Sequence, residues 1–265
     1  MLKIYQRLWQ LKWADIWQYR ANNVMYLLYS LVAPVVYLAV WRSVAQSQGD
    51  VSGLTANDFT AYYMILLIVD QFTLEITIHI LAYKIQDGTL SSELLRPIHP
   101  ILTRTLMDNL AFKTLNFLAL IPVWSLLYLL FRPDFSAVTL ANVLLALPIL
   151  LFGFALNFLI GAIITCVAFW TTRIYSLADL TYAPMLLLGG TFVPLELLPG
   201  FAETLARLLP FQLFLYFPIQ LILGRLEPAQ IVQNSLLLVI WLVIAVLGFR
   251  WIWREGVKRY SAVGA

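Results

Sequence analysis

The sequence is poor in the residues that build most metal and redox sites. It contains one cysteine, Cys166, and two histidines, His79 and His99, among 265 residues. A single cysteine excludes an internal disulfide, and Cys166 lies inside an apolar run, where a thiol typically packs as a small hydrophobic side chain. The two histidines lie in different segments with no cysteine beside them, so no ligand spacing of the zinc type is present. We therefore predict no metal site.

Motifs that carry common chemistry are also missing. The sequence contains no G-x-x-x-x-G-K-[ST], no H-E-x-x-H and no G-x-S-x-G. Without the first motif the chain does not bind ATP in the P-loop manner, and without the others it offers no recognisable hydrolase centre. It has no basic patch on a soluble domain, so nucleic acid is not an expected partner. We predict no catalytic residue and no cofactor bound directly by this chain.

Charge is scarce, while apolar residues are abundant. Charged residues make up 12% of the chain and hydrophobic residues 62%, whereas soluble domains carry roughly 25% charged residues. Several apolar runs reach the ~20 residues needed to cross a bilayer core. The short alternating segments of a transmembrane barrel are absent. These features predict an all-α polytopic membrane protein with a single transmembrane domain over residues 1–265.

The first 22 residues differ from the apolar runs that follow. Tyr5, Trp9, Trp13 and Trp17 recur every fourth position and form one aromatic stripe, while basic residues are interleaved with them. Aromatic rings prefer the headgroup level, and basic side chains favour anionic lipid. Residues 1–22 are therefore predicted to form an interfacial amphipathic helix. A helix packed only against protein is the alternative.

Hydropathy predicts six transmembrane helices. Their approximate bounds are 24–41, 59–82, 106–130, 150–170, 176–192 and 231–253. The apolar stretch 137–170 is too long for one straight crossing, so a bend near Pro148 or a lateral first segment is expected. A bend is also expected near Pro34. Pro184 and the Gly189-Gly190 pair predict a kink in the fifth span.

The segment 193–227 is punctuated by prolines and precedes the last span. Within it, Phe211–Leu223 is apolar over too few residues to cross a bilayer, which predicts a re-entrant helical hairpin. A seventh crossing there would place the basic C-terminus outside the cell, against the positive-inside tendency. We therefore predict six spans with both termini cytoplasmic.

Asp70, Glu75 and His79 are the ionisable cluster inside a predicted span. A carboxylate in hydrocarbon is costly, so such groups face a polar cavity, pair with a cation or become protonated. Asp70 and Glu75 lie about 140° apart around a helix, and Glu75 and His79 are spaced to pair as i, i+4 neighbours. Two interpretations stay open: a polar lining for a substrate path, or structural pairing within the bundle.

Two polar features lie on the neighbouring spans. Asn157 shares one helix face with Gly153 and Gly161, where small residues permit close helix approach, and we include Asn157 in the candidate substrate path. Asp108 and Lys113 fall in the first turns of the third span, where their side chains are expected to reach the membrane interface.

The polar loop at 83–104 separates the second and third spans. Thr89, Ser91 or Ser92 is expected to cap a short helix through Leu95 or Arg96, and Pro97 stops it because proline disfavours helical backbone in the preceding residue. The result is predicted to be a short helix across the cytoplasmic ends of two spans. A docking surface and a solvated turn are the two interpretations.

Several motifs together resemble the permease subunit of type 2 ABC exporters. They are the aromatic and basic start at 5–19, the six spans, the loop segment Asp87-Gly-Thr-Leu with Leu94-Leu-Arg-Pro97, the outer segment Phe192-Val-Pro-Leu-Glu-Leu-Leu-Pro-Gly-Phe201, and Leu209-Pro-Phe211. The resemblance covers nearly the whole chain. The loop segment is especially similar to uncharacterised bacterial permeases of this superfamily.

The resemblance implies a permease that is not catalytic by itself, with ATP and magnesium bound by separate ABC ATPase subunits. It implies a second permease, as a homodimer or a related heterodimer, contact with membrane lipids and a bacterial cytoplasmic (inner) membrane location. The loop helix would be the coupling helix, and the N-terminal helix would brace against the ATPase. The implied ATPase-coupling residues are Gln86, Asp87, Gly88, Leu90, Glu93, Leu94, Leu95 and Arg96.

The resemblance also implies a route through the protein. The first, second and fifth spans would line it, and 193–223 would close its outer end, with Phe192, Pro194 and Phe201 as the expected outer gate. The implied activity is export of a lipid-like, glycolipid, drug or polysaccharide substrate from the cytoplasm or inner leaflet. Three alternatives are an ion-coupled secondary transporter using Asp70 and Glu75, a membrane enzyme acting on lipids, and a non-transporting assembly subunit.

Overall fold

The structure is a computed structural model that describes residues 6–7, 9–11, 13–14, 18, 20–97, 99–101 and 105–260. The described part of the chain is helical and contains no strand. In chain order its helices are α1 Arg20–Gln48, α2 Ala56–Thr73, α3 Thr77–Gln86, α4 Leu90–Leu94, α5 Leu106–Phe131, α6 Leu140–Cys166, α7 Ile174–Leu188, α8 Gly200–Leu208, α9 Phe211–Phe214, α10 Tyr216–Ile222 and α11 Pro228–Arg259.

Four helical stretches are long and apolar enough to cross a membrane. They are α2 with α3 (Ala56–Gln86), α5, α6 with the 3-10 turn that follows it (Leu140–Phe169), and α11. The prediction of an all-helical, multi-pass membrane protein is therefore confirmed. The other two predicted spans coincide with α1, of 29 residues, and α7, of 15 residues. Six crossings stay a prediction.

The second predicted span is interrupted, which the sequence analysis did not predict. α2 ends at Thr73 and α3 begins at Thr77, with Leu74 in a non-helical conformation (φ −49°, ψ 137°). No glycine or proline occurs between Gly53 and Gly88, so the usual sequence signal for a helix break is missing. Side chains of neighbouring helices bond to the backbone of this break.

Two other boundaries differ from expectation. α6 runs as one helix from Leu140, followed by a 3-10 turn, so the separate lateral segment considered for 137–150 does not form. Pro34 and Pro148 lie inside continuous helices, and the bends expected near them stay predictions. α7 ends at Leu188 instead of kinking at the glycine pair, and Gly190 has a φ of +89° that glycine adopts readily.

α6 lies at the centre of the packing. It contacts α11 most extensively and also touches α2, α3, α9 and α10. α9 and α10, which cover the predicted hairpin, are buried along nearly their whole length against α2 and α6. The main apolar core is formed by inward-facing residues of these helices, including Tyr62, Leu156, Phe214 and Phe217.

The molecule has two distinct ends. At one end, the end of α1 and the start of α2 meet the segment 189–227; Trp41 Nε1 donates to the carbonyl of Phe192 at 2.9 Å, and Arg225 pairs with Asp58. We call this the gate end. At the other end, the loop after α3 meets the turn after α6, where Gln86 Nε2 donates to the carbonyl of Thr172 at 3.1 Å. We call this the loop end.

Part of the predicted N-terminal interfacial helix lies outside the described residues, as do Tyr5 and Trp17 of its aromatic stripe. The described residues between Gln6 and Gln18 are helical. Trp9 and Trp13 stack with ring centroids 6.2 Å apart, and both are half-buried, while Leu11 between them is exposed. Arg104 of the predicted loop also lies outside the described residues.

Candidate functional site

The loop after α3 is shaped by local hydrogen bonds. Asp87 Oδ1 accepts from the amide (3.0 Å) and the hydroxyl (2.8 Å) of Thr89, and Gly88 has a φ of +82°. Thr89 stands at the N-cap of α4 but makes no capping bond there, and the hydroxyls of Ser91 and Ser92 donate to the carbonyls of Gly88 and Thr89. The prediction that a hydroxyl caps α4 is therefore wrong, and a turn stabilised by Asp87 precedes the helix instead.

Three of the predicted coupling residues attach the loop to the helix bundle. Leu90 is fully buried in an apolar cluster with residues of α3 and α6. Glu93 forms an ion pair with Lys84 at 3.2 Å, with side-chain exposures of 8% and 11%. Gln86 bonds to the turn after α6. Since Lys84 lies on α3, the contacts of Leu90 and Glu93 join α4 to α3, while Gln86 joins the end of α3 to the turn after α6.

Three other predicted coupling residues are exposed: Leu95, which is 89% exposed, Asp87 and Arg96. Ser92, which was not among the predicted coupling residues, is exposed as well. α4 ends at Leu94, which is half-buried, so the helix is slightly shorter than predicted. We name the exposed set Asp87, Ser92, Leu95 and Arg96 the loop patch. The loop patch is therefore mostly polar, with Leu95 as its one exposed apolar side chain.

His99 connects the loop to the last helix. Its ring lies 4.6 Å from that of Trp253 and 5.8 Å from that of Phe249, by centroid. Burial lowers the pKa of His99 below its ordinary value, because a buried imidazolium loses hydration. His99 therefore packs against aromatic residues of α11.

Lys113 reaches the break between α2 and α3. Its Nζ donates to the carbonyls of Gln71 (3.3 Å), Phe72 (2.8 Å) and Leu74, and lies 4.3 Å from the ring centroid of Phe154. Lys113 is 8% exposed. The expectation that it reaches the membrane interface is wrong, because carbonyls left free at the end of α2 provide nearer acceptors.

Two asparagines complete the hydrogen bonding of the break. Asn157 Nδ2, on α6, donates to the carbonyl of Thr73 at 2.9 Å, and Asn109 Oδ1, on α5, accepts from the amide of Ile76 at 2.9 Å. Both asparagines are buried. Irregular backbone persists at membrane depth only where protein groups satisfy it, and here α5 and α6 provide those groups.

Asp70 and Glu75 lie beside the same break. Glu75 Oε2 accepts from the amide of Thr77 at 2.7 Å, and a Cβ placed on Gly161 would lie 2.2 Å from the other carboxylate oxygen. Both carboxylates interact electrostatically with Lys113. His79 is exposed with its ring 6.2 Å from that of Tyr175, so the structure does not form the Glu75–His79 pair considered above.

A cleft of about 470 Å³ opens next to the break, between α5 and α6. Its walls are mostly apolar and include Phe72, Phe117 and Phe154, and Trp9 of the N-terminal stretch contributes to its edge. Lys113 and Thr114 are its polar lining residues. The cleft connects the surroundings of the bundle to the lysine at the break.

The predicted outer gate is held by hydrogen bonds from aromatic side chains. The hydroxyl of Tyr62 donates to the carbonyl of Gly190 at 2.7 Å. The carbonyl of Phe192 accepts from the hydroxyl of Tyr63 at 2.8 Å as well as from Trp41. Sequence reasoning had singled out Phe192 for its place in a motif, but it had not identified these partners.

The three predicted gate residues have different surroundings. The ring of Phe192 is 40% exposed and lies 5.2 Å from the ring of Tyr37, and Pro194 is buried. Phe201, on α8, is 83% exposed and is not brought together with the other two.

The gate segment is also attached to α10. Glu196 accepts from the hydroxyl of Tyr216 at 2.5 Å and from Gln220 Nε2 at 2.7 Å.

The described residues hold no group of three or more His, Cys, Asp or Glu side chains suited to a metal ion. Three separate features are candidates for function: the loop patch, the break between α2 and α3, and the hydrogen-bonded gate. A family model described as "ABC-2 family transporter protein" matches residues 31–264.

The chain belongs to the ABC-2 transporter family. The match runs from within α1 to beyond α11 and so includes the loop patch, the break and the gate. Among curated proteins, none matches the sequence. Members of the ABC-2 family are transmembrane components of ABC transporters and are generally not catalytic themselves. The resemblance to type 2 ABC permeases is thus confirmed.

Proposed function

We propose that this ABC-2 protein is the permease subunit of an ATP-driven exporter. A separate ABC ATPase would bind ATP and magnesium, and the substrate would be lipid-like, a glycolipid, a drug or a polysaccharide leaving the cytoplasm or inner leaflet. The observation that carries the proposal is the loop patch: Leu95 is exposed directly after a short helix whose buried side is fixed to α3 by Leu90 and Glu93. A surface that is exposed to a partner and also attached to a helix of the bundle suits a docking site for a moving ATPase.

Charge supports an orientation. At the loop end and in the last turns of α11 lie the basic residues Lys84, Arg96, Arg173, Arg250, Arg254, Lys258 and Arg259, and the gate end carries Arg42, Arg132, Arg207 and Arg225. Lysine and arginine concentrate on the cytoplasmic side of membrane proteins. We therefore place the loop end in the cytoplasm of a bacterial inner membrane, with six crossings that include α1 and α7 and with both termini cytoplasmic.

The contacts suggest how movement passes through the permease. Closure of the ATPase would push α4, and α3 would move with it because Leu90 and Glu93 attach the two helices. The break at 74–76 would let α3 shift relative to α2. The outer part of α2 holds the gate through Tyr62 and Tyr63. Net export requires that substrate affinity differ between the two arrangements.

The rest of the proposed assembly follows from exposed apolar surface. Val32, Val36 and Val40 are exposed on α1, as are Val239 and Val243 on α11, and membrane lipids and a second permease would cover such surfaces. In the dimer, the first, second and fifth spans would line the route, closed at the gate end by 193–223 as a re-entrant hairpin. N-terminal residues 1–22 would lie in the interface.

The position of Asp70, Glu75 and Asn157 favours the structural alternative for these residues. Asn157 bonds to the end of α2, and both carboxylates lie near the Lys113 ammonium. Carboxylates that already lie near an internal cation are poorly suited to binding a coupling ion. This arrangement supports ATP rather than an ion gradient as the source of energy.

Coexpression with a candidate ABC ATPase, followed by copurification, tests the proposal. Leu95→Asp and Arg96→Glu are expected to abolish ATPase recovery while the permease still inserts and folds. Phe201→Asp is the matched control, because Phe201 is comparably exposed but lies in α8 at the gate end. Wild-type recovery of the ATPase by both loop variants, or equal loss with the control, would contradict docking at the loop patch.

A further inference from the structure

The end of α2 has the features of a cation site. The last carbonyls of a helix lack intrahelical partners and carry the negative end of the helix dipole. Two such carbonyl oxygens, of Gln71 and Phe72, and the carbonyl oxygen of Leu74 in the break converge on one point. In membrane transporters, the carbonyls of broken helices are a common way of coordinating a monovalent cation.

The position that a free ion would take is filled by the Lys113 ammonium. An ammonium group has three donors, and Lys113 Nζ has three carbonyl acceptors. The Phe154 ring at 4.3 Å adds a cation–π contact. Asp70 and Glu75 add attraction from nearby negative charge. The cation is therefore balanced by groups on α2, α6 and the break itself.

We infer that the break in the second span is a monovalent cation site whose ligand is the chain's own Lys113 ammonium, so that a small free ammonium ion binds there when this side chain is shortened. This goes beyond the proposed function, because it concerns what holds the break together and does not depend on which partner or substrate the permease has. It makes Lys113 a positioning residue for α2 and α3.

The surrounding space makes the inference testable. Lys113 lines the cleft of about 470 Å³ between α5 and α6, which gives a small ion access to the site. Lys113→Ala removes the alkyl chain and the charge and leaves room for methylammonium. Lys113→Met also removes the charge but refills most of the space, and it is the matched control.

Unfolding of the purified full-length chain in detergent provides a readout independent of transport. Cys166 is the only cysteine and is fully buried, so a thiol-reactive fluorogenic dye reports its exposure as the protein unfolds. We expect Lys113→Ala and Lys113→Met to unfold at lower temperature than the wild type. Methylammonium chloride should then raise the Tm of Lys113→Ala by several degrees, relative to choline chloride at equal ionic strength.

The control responses decide the outcome. The wild type should not respond to methylammonium, because the Lys113 ammonium already occupies the site. Lys113→Met should not respond either, because the methionine side chain fills the space. A Tm of Lys113→Ala that does not rise, or that rises equally in all three proteins, would overturn the inference.

A second comparison applies if Lys113→Ala does not fold. Glu75→Gln introduced into Lys113→Met removes a carboxylate that has lost its cation, so the double variant should be recovered in higher yield and unfold at higher temperature than Lys113→Met. A double variant no more stable than the single one would show that charge balance does not hold the break, and the inference would be wrong.

Discussion

Lys84 and Glu93 form a buried ion pair, with 3.2 Å between nitrogen and oxygen, that joins α3 to the short helix α4. The pair links the end of a membrane-embedded helix to the loop that carries the exposed patch. Leu90 packs into the bundle on the same side of α4. The loop patch is thus connected to α3 through the Lys84–Glu93 pair and through Leu90.

Breaking this pair should destabilise the protein. Lys84→Met leaves the Glu93 carboxylate with less compensation in a buried position, and loss of one partner of a buried pair costs about 3 kcal/mol. We expect a clearly lower Tm by dye labelling of Cys166. Lys258→Met is the control, because the Lys258–Glu255 pair is 54% and 40% exposed and such pairs contribute about 0–1 kcal/mol. Equal Tm changes in the two variants would contradict the conclusion that Lys84 and Glu93 form a buried, stabilising ion pair.

Leu90 and Leu95 should respond oppositely to truncation. Leu90 is fully buried and Leu95 is 89% exposed. Leu90→Ala opens a cavity and should cost about 2–5 kcal/mol, whereas Leu95→Ala should leave the free energy of unfolding unchanged and weaken ATPase binding. Measured Tm values and ATPase affinity, compared in one detergent, separate the two roles. A stability loss for Leu95→Ala as large as that for Leu90→Ala would contradict the exposure of the loop patch.

Gly161 should not tolerate a side chain. Alanine normally stabilises a helix interior relative to glycine by about 1 kcal/mol. A Cβ at Gly161 would meet the Glu75 carboxylate at 2.2 Å, whereas the nearest atom to one at Gly248 lies at 3.6 Å. Gly161→Ala should displace Glu75 from the Thr77 amide and lower the Tm, while Gly248→Ala should maintain or raise it. A gain in stability by both variants would contradict the close contact between Gly161 and the Glu75 carboxylate.

The gate hydroxyls should contribute measurably to stability. Tyr62→Phe removes the donor to the carbonyl of Gly190 in a buried setting, and leaving a buried acceptor unsatisfied costs about 1–3 kcal/mol. Tyr128→Phe, at a residue that is 42% exposed, is the control and should have little effect. Hydrogen exchange at 189–192 should also quicken in Tyr62→Phe, and unchanged exchange there would argue against the gate contact.

Much of the architecture follows from local sequence. The third span, predicted at about 106–130, is observed as Leu106–Phe131, and the last, predicted at about 231–253, lies within Pro228–Arg259. The loop helix at 90–94 and the buried short helices at 211–222 also lie where composition placed them. Hydropathy and turn residues act over a few neighbouring positions, and for this reason such elements are readable from the chain alone.

The candidate site was only partly readable. Gln86, Leu90 and Glu93 were grouped with Leu95 and Arg96 by sequence proximity, but the structure divides them into residues that attach the loop and residues that point away from it. Lys113 was assigned to the membrane interface, and Asn109 was not considered. One sequence signal could have indicated that Lys113 lies at the break. Lys113 stands seven positions into an apolar helix, and a neighbouring span carries two carboxylates.

The sequence by itself determined that this is a helical membrane protein, where most of its spans lie and which loop carries the polar segment, because burial in a bilayer depends on the composition of each run. Only the tertiary structure decided that the second span is broken. Its free backbone groups are satisfied by Lys113, 41 residues beyond Phe72, and by Asn157, 84 residues beyond Thr73. No local pattern encodes such partners, since they meet only when α5 and α6 pack against α2.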